Sequence, residues 1–138
     1  MPSVFDTAQY LLEQHGPMTT MKLQKLVYYS QVWSVVWDDD CLFPEHIQAW
    51  RNGPIVRELW ESTRGNFRIE SIETGISDNL TPQNKDTVEK VLEFYGNKNA
   101  QWLSDLTHME KPWDEAFTQG QNTTISLETI SEYYSTLS

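Results

Sequence analysis

Cysteine is almost missing from this chain. Cys41 stands alone among 138 residues, so neither an intramolecular disulfide nor a cysteine-based zinc site is possible. Positive charge is also scarce: ten Lys and Arg face 20 Asp and Glu, for a formal charge of −10. That balance argues against a general nucleic-acid binder, which needs basic surface to displace counterions. It suits a soluble protein, or one whose partner is basic. Long apolar runs are missing too. The densest, Val32-Trp33-Ser34-Val35-Val36-Trp37, is far too short to span a bilayer. The first residues carry no basic stretch followed by an apolar one, as a secretory signal would, so a cytoplasmic protein is expected and no membrane partner. Without export, Asn79-Leu80-Thr81 and Asn122-Thr123-Thr124 match the glycosylation pattern by chance. No Gly-x-Ser-x-Gly, glycine-rich phosphate loop or HExxH pattern occurs, and no cofactor or metal is expected.

Aromatic residues are plentiful. Six Trp, six Tyr and five Phe offset a modest apolar fraction with large area per side chain. The length suits a single domain over residues 1–138.

Periodicity and capping residues place the elements. Ser3 caps a first helix whose Val4, Phe5, Ala8, Leu11 and Leu12 share a face, and Gly16-Pro17 ends it. Thr19 or Thr20 opens a second helix with Leu23, Leu26, Val27, Ser30 and Trp33 in register, while Lys22 and Lys25 face elsewhere. Past Tyr28-Tyr29 it turns apolar all round, so residues 20–37 form the central buried helix. Asp38-Asp39-Asp40 ends it as a solvated loop. An EF-hand reading fails because the required glycine position falls on Phe43. A short helix around Glu45–Ile47 is expected, then an extended Gln48-Ala49-Trp50. Asn52-Gly53 makes a turn, and Pro54 sits at the first position of a helix running through Trp60. Residues 67–72 alternate like a half-buried strand. Thr81-Pro82 opens a helix striped by Val88, Val91, Leu92 and Tyr95. Asn99 caps the next, carrying Trp102, Leu103 and Leu106, and Pro112-Trp113 starts a short one through Phe117. Residues 118–124 read as a surface loop, and Ser126 caps a last helix with Leu127, Ile130 and Tyr134 inward. The fold class is therefore mainly α: a compact bundle of six to seven helices around the central one, with a small β element.

Candidate chemistry is thin. His108 with Glu110 and Asp114 is the best general-base set, but a histidine at a helix end more often bonds free carbonyls or favours the helix dipole. Cys41 follows three carboxylates, the opposite of the electropositive setting a reactive thiol needs, and His15 and His46 are isolated. Trp33, Trp102 and Trp113 fit core stripes, whereas Trp37 and Trp60, at element ends, are free to act as surface anchors.

Leu23-Gln24-Lys25-Leu26-Val27-Tyr28-Tyr29, Leu42-Phe43, Gln48 to Val56, Tyr95-Gly96, Leu103-Ser104, Thr107-His108 and Pro112-Trp113 occur in one order along the chain. Together they resemble the Panacea domain of SocA-like, phage-associated GepA-like antitoxins, whose pattern runs LQKLLYF, EAWKYGPV, LS-x-x-TH and PW. Gln48, Arg51, Asn52 and Ile55 depart from it. The resemblance implies Leu23, Gln24, Lys25, Leu26, Tyr28, Trp50, Gly53, Pro54, Thr107, His108, Pro112 and Trp113 as structural motif residues. It implies a non-enzymatic antitoxin that binds a cognate toxin directly, the acidity suiting a basic, RNA-directed one. Alternatives are a protease adaptor delivering the toxin for degradation, or a small enzyme using His108 and Glu110. Homo-oligomerisation stays open. Arg51, Asn52, Arg57, Trp60 and Trp37 are the residues expected to meet the partner.

Overall fold

In the computed structural model, which describes residues 1–137, helix α2 (Thr20–Asp38) runs through the middle of the protein. Every residue from Leu23 to Ser34 on it is buried, as a helix without a polar face requires. Helix α1 (Val4–His15) and helix α4 (Pro82–Tyr95) pack against it, with helices α5 (Ala100–His108) and α7 (Leu127–Tyr134) covering further sides. Helices α3 (Arg57–Thr63) and α6 (Lys111–Gln119) complete seven among the described residues. The helix starts follow local chemistry. Ser3 and Asp6 form a reciprocal capping box on α1, Thr81 and Asn84 another on α4, and Thr19, Asn99 and Ser126 each accept an N–H of their own first turn.

Two small sheets flank the helices. Strand β1 (Met18–Thr19) pairs antiparallel with β4 (Arg68–Ile69). Strands β2 (Ile47–Trp50), β3 (Gly53–Ile55) and β5 (Thr123–Ile125) form a second sheet in the order β3-β2-β5, all antiparallel.

Several expectations change. Pro54 lies in β3 and α3 begins only at Arg57, because the two-residue turn Arg51-Asn52 folds β3 back on β2, with Trp50 opposite Gly53. An edge strand tolerates proline's missing N–H. Residues 45–47 are not helical. Residues 123 and 124, expected in a loop, belong with Ile125 to β5 and pair with β2, and the strand expected over 67–72 shrinks to Arg68–Ile69. Leu127 and Trp102 are exposed.

The irregular chain from Asp39 to His46, and the entry to α3, are held by amides of α2. Gln31 accepts from the Leu42 N–H (2.6 Å) and donates to the Phe43 carbonyl (2.8 Å). Two helical turns earlier, Gln24 does the same to one residue, accepting from the Val56 N–H (2.9 Å) and donating to its carbonyl (3.1 Å). Each glutamine thus supplies the two partners that a neighbouring strand would, where buried backbone groups cannot go unpaired. Two residues of the aspartate triplet have structural roles. Asp38 accepts from Thr87 (2.7 Å) and Gln83 (3.2 Å) of α4, and Asp39 adopts the left-handed conformation that ends α2.

Candidate interaction site

The scattered motif residues converge on one buried cluster behind the β2–β3 hairpin. Lys25, expected off the apolar stripe of α2, is fully buried. Its Nζ donates to the Pro54 carbonyl (3.2 Å) and touches Met21 Sδ (3.0 Å). Burial without a carboxylate partner holds this amine down at about 7. Gly53, at φ +120°, is where the backbone comes closest: a Cβ there would lie 2.5 Å from Lys25 Cε and 3.0 Å from Thr107 Oγ1. Ser104 Oγ of α5 donates to the Asn52 carbonyl (2.6 Å), and Thr107 Oγ1 donates to the Ser104 carbonyl (2.7 Å). From α6, Trp113 Nε1 donates to the Trp50 carbonyl (2.8 Å). Trp50 donates to Gln48 (2.8 Å) and meets the Trp60 ring edge-on at 5.2 Å. The hairpin is therefore gripped from three helices, leaving Arg51 and Asn52 exposed at its tip.

The candidate catalytic set does not assemble. His108 stacks on Trp113 at 4.0 Å, and its buried Nε2 has no hydrogen-bond partner among the described residues. Burial and then the Lys25 charge push its pKa below the ordinary histidine value. Glu110 turns elsewhere, accepting from Tyr29 (2.6 Å) and Tyr134 (2.7 Å), while the Tyr134 and Tyr28 hydroxyls lie 2.9 Å apart. Burial raises the Glu110 pKa, and the two phenols oppose that. This phenol–carboxylate knot joins α7 to α2. Removing one phenol leaves the buried carboxylate a single partner, so Tyr134→Phe is expected to cost about 1–2 kcal/mol, read as a lowered urea midpoint with unchanged slope. Asp114 is exposed on α6. Among the described residues no three His, Cys, Asp or Glu side chains are grouped to hold a metal ion, and no helix is long and apolar enough to cross a membrane.

The expected partner-binding residues fall into two places. Arg51, Asn52, Arg57 and Trp60 share the hairpin region. Arg57 is exposed and paired with Glu61 (2.9 Å), and half-buried Trp60 lies under the Arg64 guanidinium at 5.4 Å. Trp37 is elsewhere, about 18 Å along α2 from Lys25 at helical rise. It stacks on Trp33 at 4.9 Å and lines a cleft of about 240 Å3 with Trp33, Phe94, Tyr95 and Leu137. Sequence reasoning passed over Phe94. The available signal was an aromatic residue lying outside the α4 stripe of Val88, Val91, Leu92 and Tyr95.

The family model of the antitoxin SocA-like Panacea domain matches residues 23–114. The matched span opens at Leu23 on α2 and closes one residue past Trp113, so it encloses the cluster that grips the hairpin. No curated protein and no solved structure matches the chain.

Proposed function

The chain belongs to the SocA-like antitoxin family through its Panacea domain, and from that membership we propose that it neutralises a cognate protein toxin by direct binding. In this reading it acts as a single cytoplasmic domain that occludes the toxin's active surface. The observation that carries it is what the motif residues do. Gln24, Lys25, Gly53, Thr107 and Trp113 are all buried, and each bonds or abuts the backbone of the hairpin and the segments beside it. They build a shape rather than present a reacting group, which favours a binding protein over an enzyme. A formal charge of −10 speeds association with a basic, RNA-directed toxin.

The test is co-expression with the product of the adjacent gene. That product is expected to arrest growth alone, and growth is expected to recover when this chain is present and a complex is captured. A harmless neighbour, or rescue without a complex, sinks the reading. Loss of the toxin through proteolysis that depends on this chain would instead establish the adaptor mechanism. At the hairpin tip, replacing Arg51, Asn52 and Arg57 together by Ala is expected to weaken the complex about tenfold without changing the melting temperature. The exposed Arg57–Glu61 pair itself contributes little to stability, so an altered melting temperature would contradict the placement of these residues.

A further inference from the structure

The aromatic cleft between the end of α2, α4 and the segment after α7 is, we propose, a second docking surface for the toxin, fitted to an apolar anchor side chain flanked by Lys or Arg. This inference rests on the antitoxin reading and names a surface for it.

Trp37 is 40 % exposed, Phe94 68 % and Leu137 55 %. Large apolar side chains held at the surface cost free energy unless something covers them. These three meet around the one cleft, with Trp33 and Tyr95 as its walls. Its walls are fixed: Trp33 Nε1 donates to Tyr95 Oη (3.1 Å), and Tyr95 stacks on Tyr29 at 4.2 Å. A rigid aromatic cleft of this size accepts one large side chain without reorganising, the condition under which a binding anchor contributes most.

Charge selects the occupant. Asp39 and Asp40 follow Trp37 within three residues, and Glu93 precedes Phe94; all are exposed, and none has an ion-pair partner among the described residues. Lys90 lies 5.9 Å over the Trp37 ring, but it is paired with Asp86 at 3.1 Å. Unpaired carboxylates on the chain next to Trp37 and Phe94 attract a cationic segment toward the cleft and repel an acidic one. A second copy of this chain would bring the same carboxylates and another formal charge of −10 to the contact, so a basic protein partner is the better fit. The same reasoning accounts for the exposed Asp39 and Asp40 just past the end of α2, where negative charge sits badly with the helix dipole.

The experiment measures binding of the adjacent gene's product to the purified full chain, to Trp37→Ser/Phe94→Ser, and to the charge reversal Asp40→Lys/Glu93→Lys. Circular dichroism melts confirm that both variants are folded. The aromatic pair is expected to weaken binding about thirtyfold or more. The charge reversal is expected to slow association about tenfold at low salt, the difference closing as salt is raised. A wild-type chain that forms no complex overturns the antitoxin reading itself. A wild-type chain that binds, with both folded variants binding equally well, overturns this surface alone. A chain that sediments as a dimer lost in Trp37→Ser/Phe94→Ser would also overturn it, by assigning the cleft to self-association.

Discussion

Gly53→Ala is expected to lose about 3–5 kcal/mol of stability, lowering the melting temperature by roughly 10 °C or more. Two costs add. At φ +120° an L side chain is strained whatever the space around it. In addition, the new Cβ would stand 2.5 Å from Lys25 Cε and 3.1 Å from its Nζ. An exposed lysine would swing aside. Lys25 is fully buried and tied to the Pro54 carbonyl, so moving it breaks a buried hydrogen bond or forces β3 off α2. Gly65 separates the two costs. It also has a positive φ, +93°, but nothing lies within 4 Å of a Cβ built there, so Gly65→Ala is expected to cost only about 1 kcal/mol. Equal melting temperatures for the two variants would show that Gly53 does not abut the buried lysine.

The second large effect is the pH dependence of stability set by Lys25. Its amine sits at about 7 in the folded protein against 10.5 when unfolded. Between those values the unfolded chain binds the extra proton, so stability is complete above 10.5 and is lost progressively as pH falls toward 7. Below that both states are charged and Lys25 adds no further slope. Across pH 7 to 9.5 the wild type is expected to gain roughly 3 kcal/mol in denaturant unfolding, and Lys25→Met to lose that gain. Lys22, also held low by burial, adds a smaller, solvent-screened share of the same sign. Above pH 10 the trend reverses. Burial, then Glu89, pushes Tyr10 up to about 12, and Tyr28, Tyr29 and Tyr134 are raised further by burial. Those tyrosines stay protonated in the fold while the unfolded chain ionises, so their contribution is present below pH 10 and lost above it. A wild type whose stability is flat from pH 7 to 9.5 would contradict a buried amine without a carboxylate partner.

Both effects arise at a residue whose placement the sequence misrepresents. Lys25 belongs to the polar positions of an amphipathic reading of α2, and on a surface helix it would face water. Here elements pack on every side of α2, so its polar positions also point at protein. Lys25, Gln24 and Gln31 then become partners for backbone that has no strand beside it. Strand β5 was hidden for a related reason: three residues, Thr123–Ile125, are extended because β2 lies alongside, some 75 positions earlier in the chain, and nothing in their own composition demands it. Pro54 carried a local signal for a helix start, which the pairing of Trp50 with Gly53 overrode. The two halves of the expected partner surface, Arg51 with its neighbours and Trp37, were joined on chemistry alone, and the length of α2 separates them.

What the sequence determined by itself is local or cumulative. Cap residues within three positions of the starts of α1, α2, α4, α5 and α7, glycine at the ends of α1, α4 and α6, the apolar run of α2, the acidic balance and the ordered motif that identifies the family all depend on near neighbours or on simple sums. Tertiary structure decided which polar side chains are buried, which short segments become strands, and which aromatic residues meet at the surface. Those outcomes depend on contacts between residues far apart in the chain, where the free energy of desolvating an amine or pairing a strand is set by whatever happens to lie opposite.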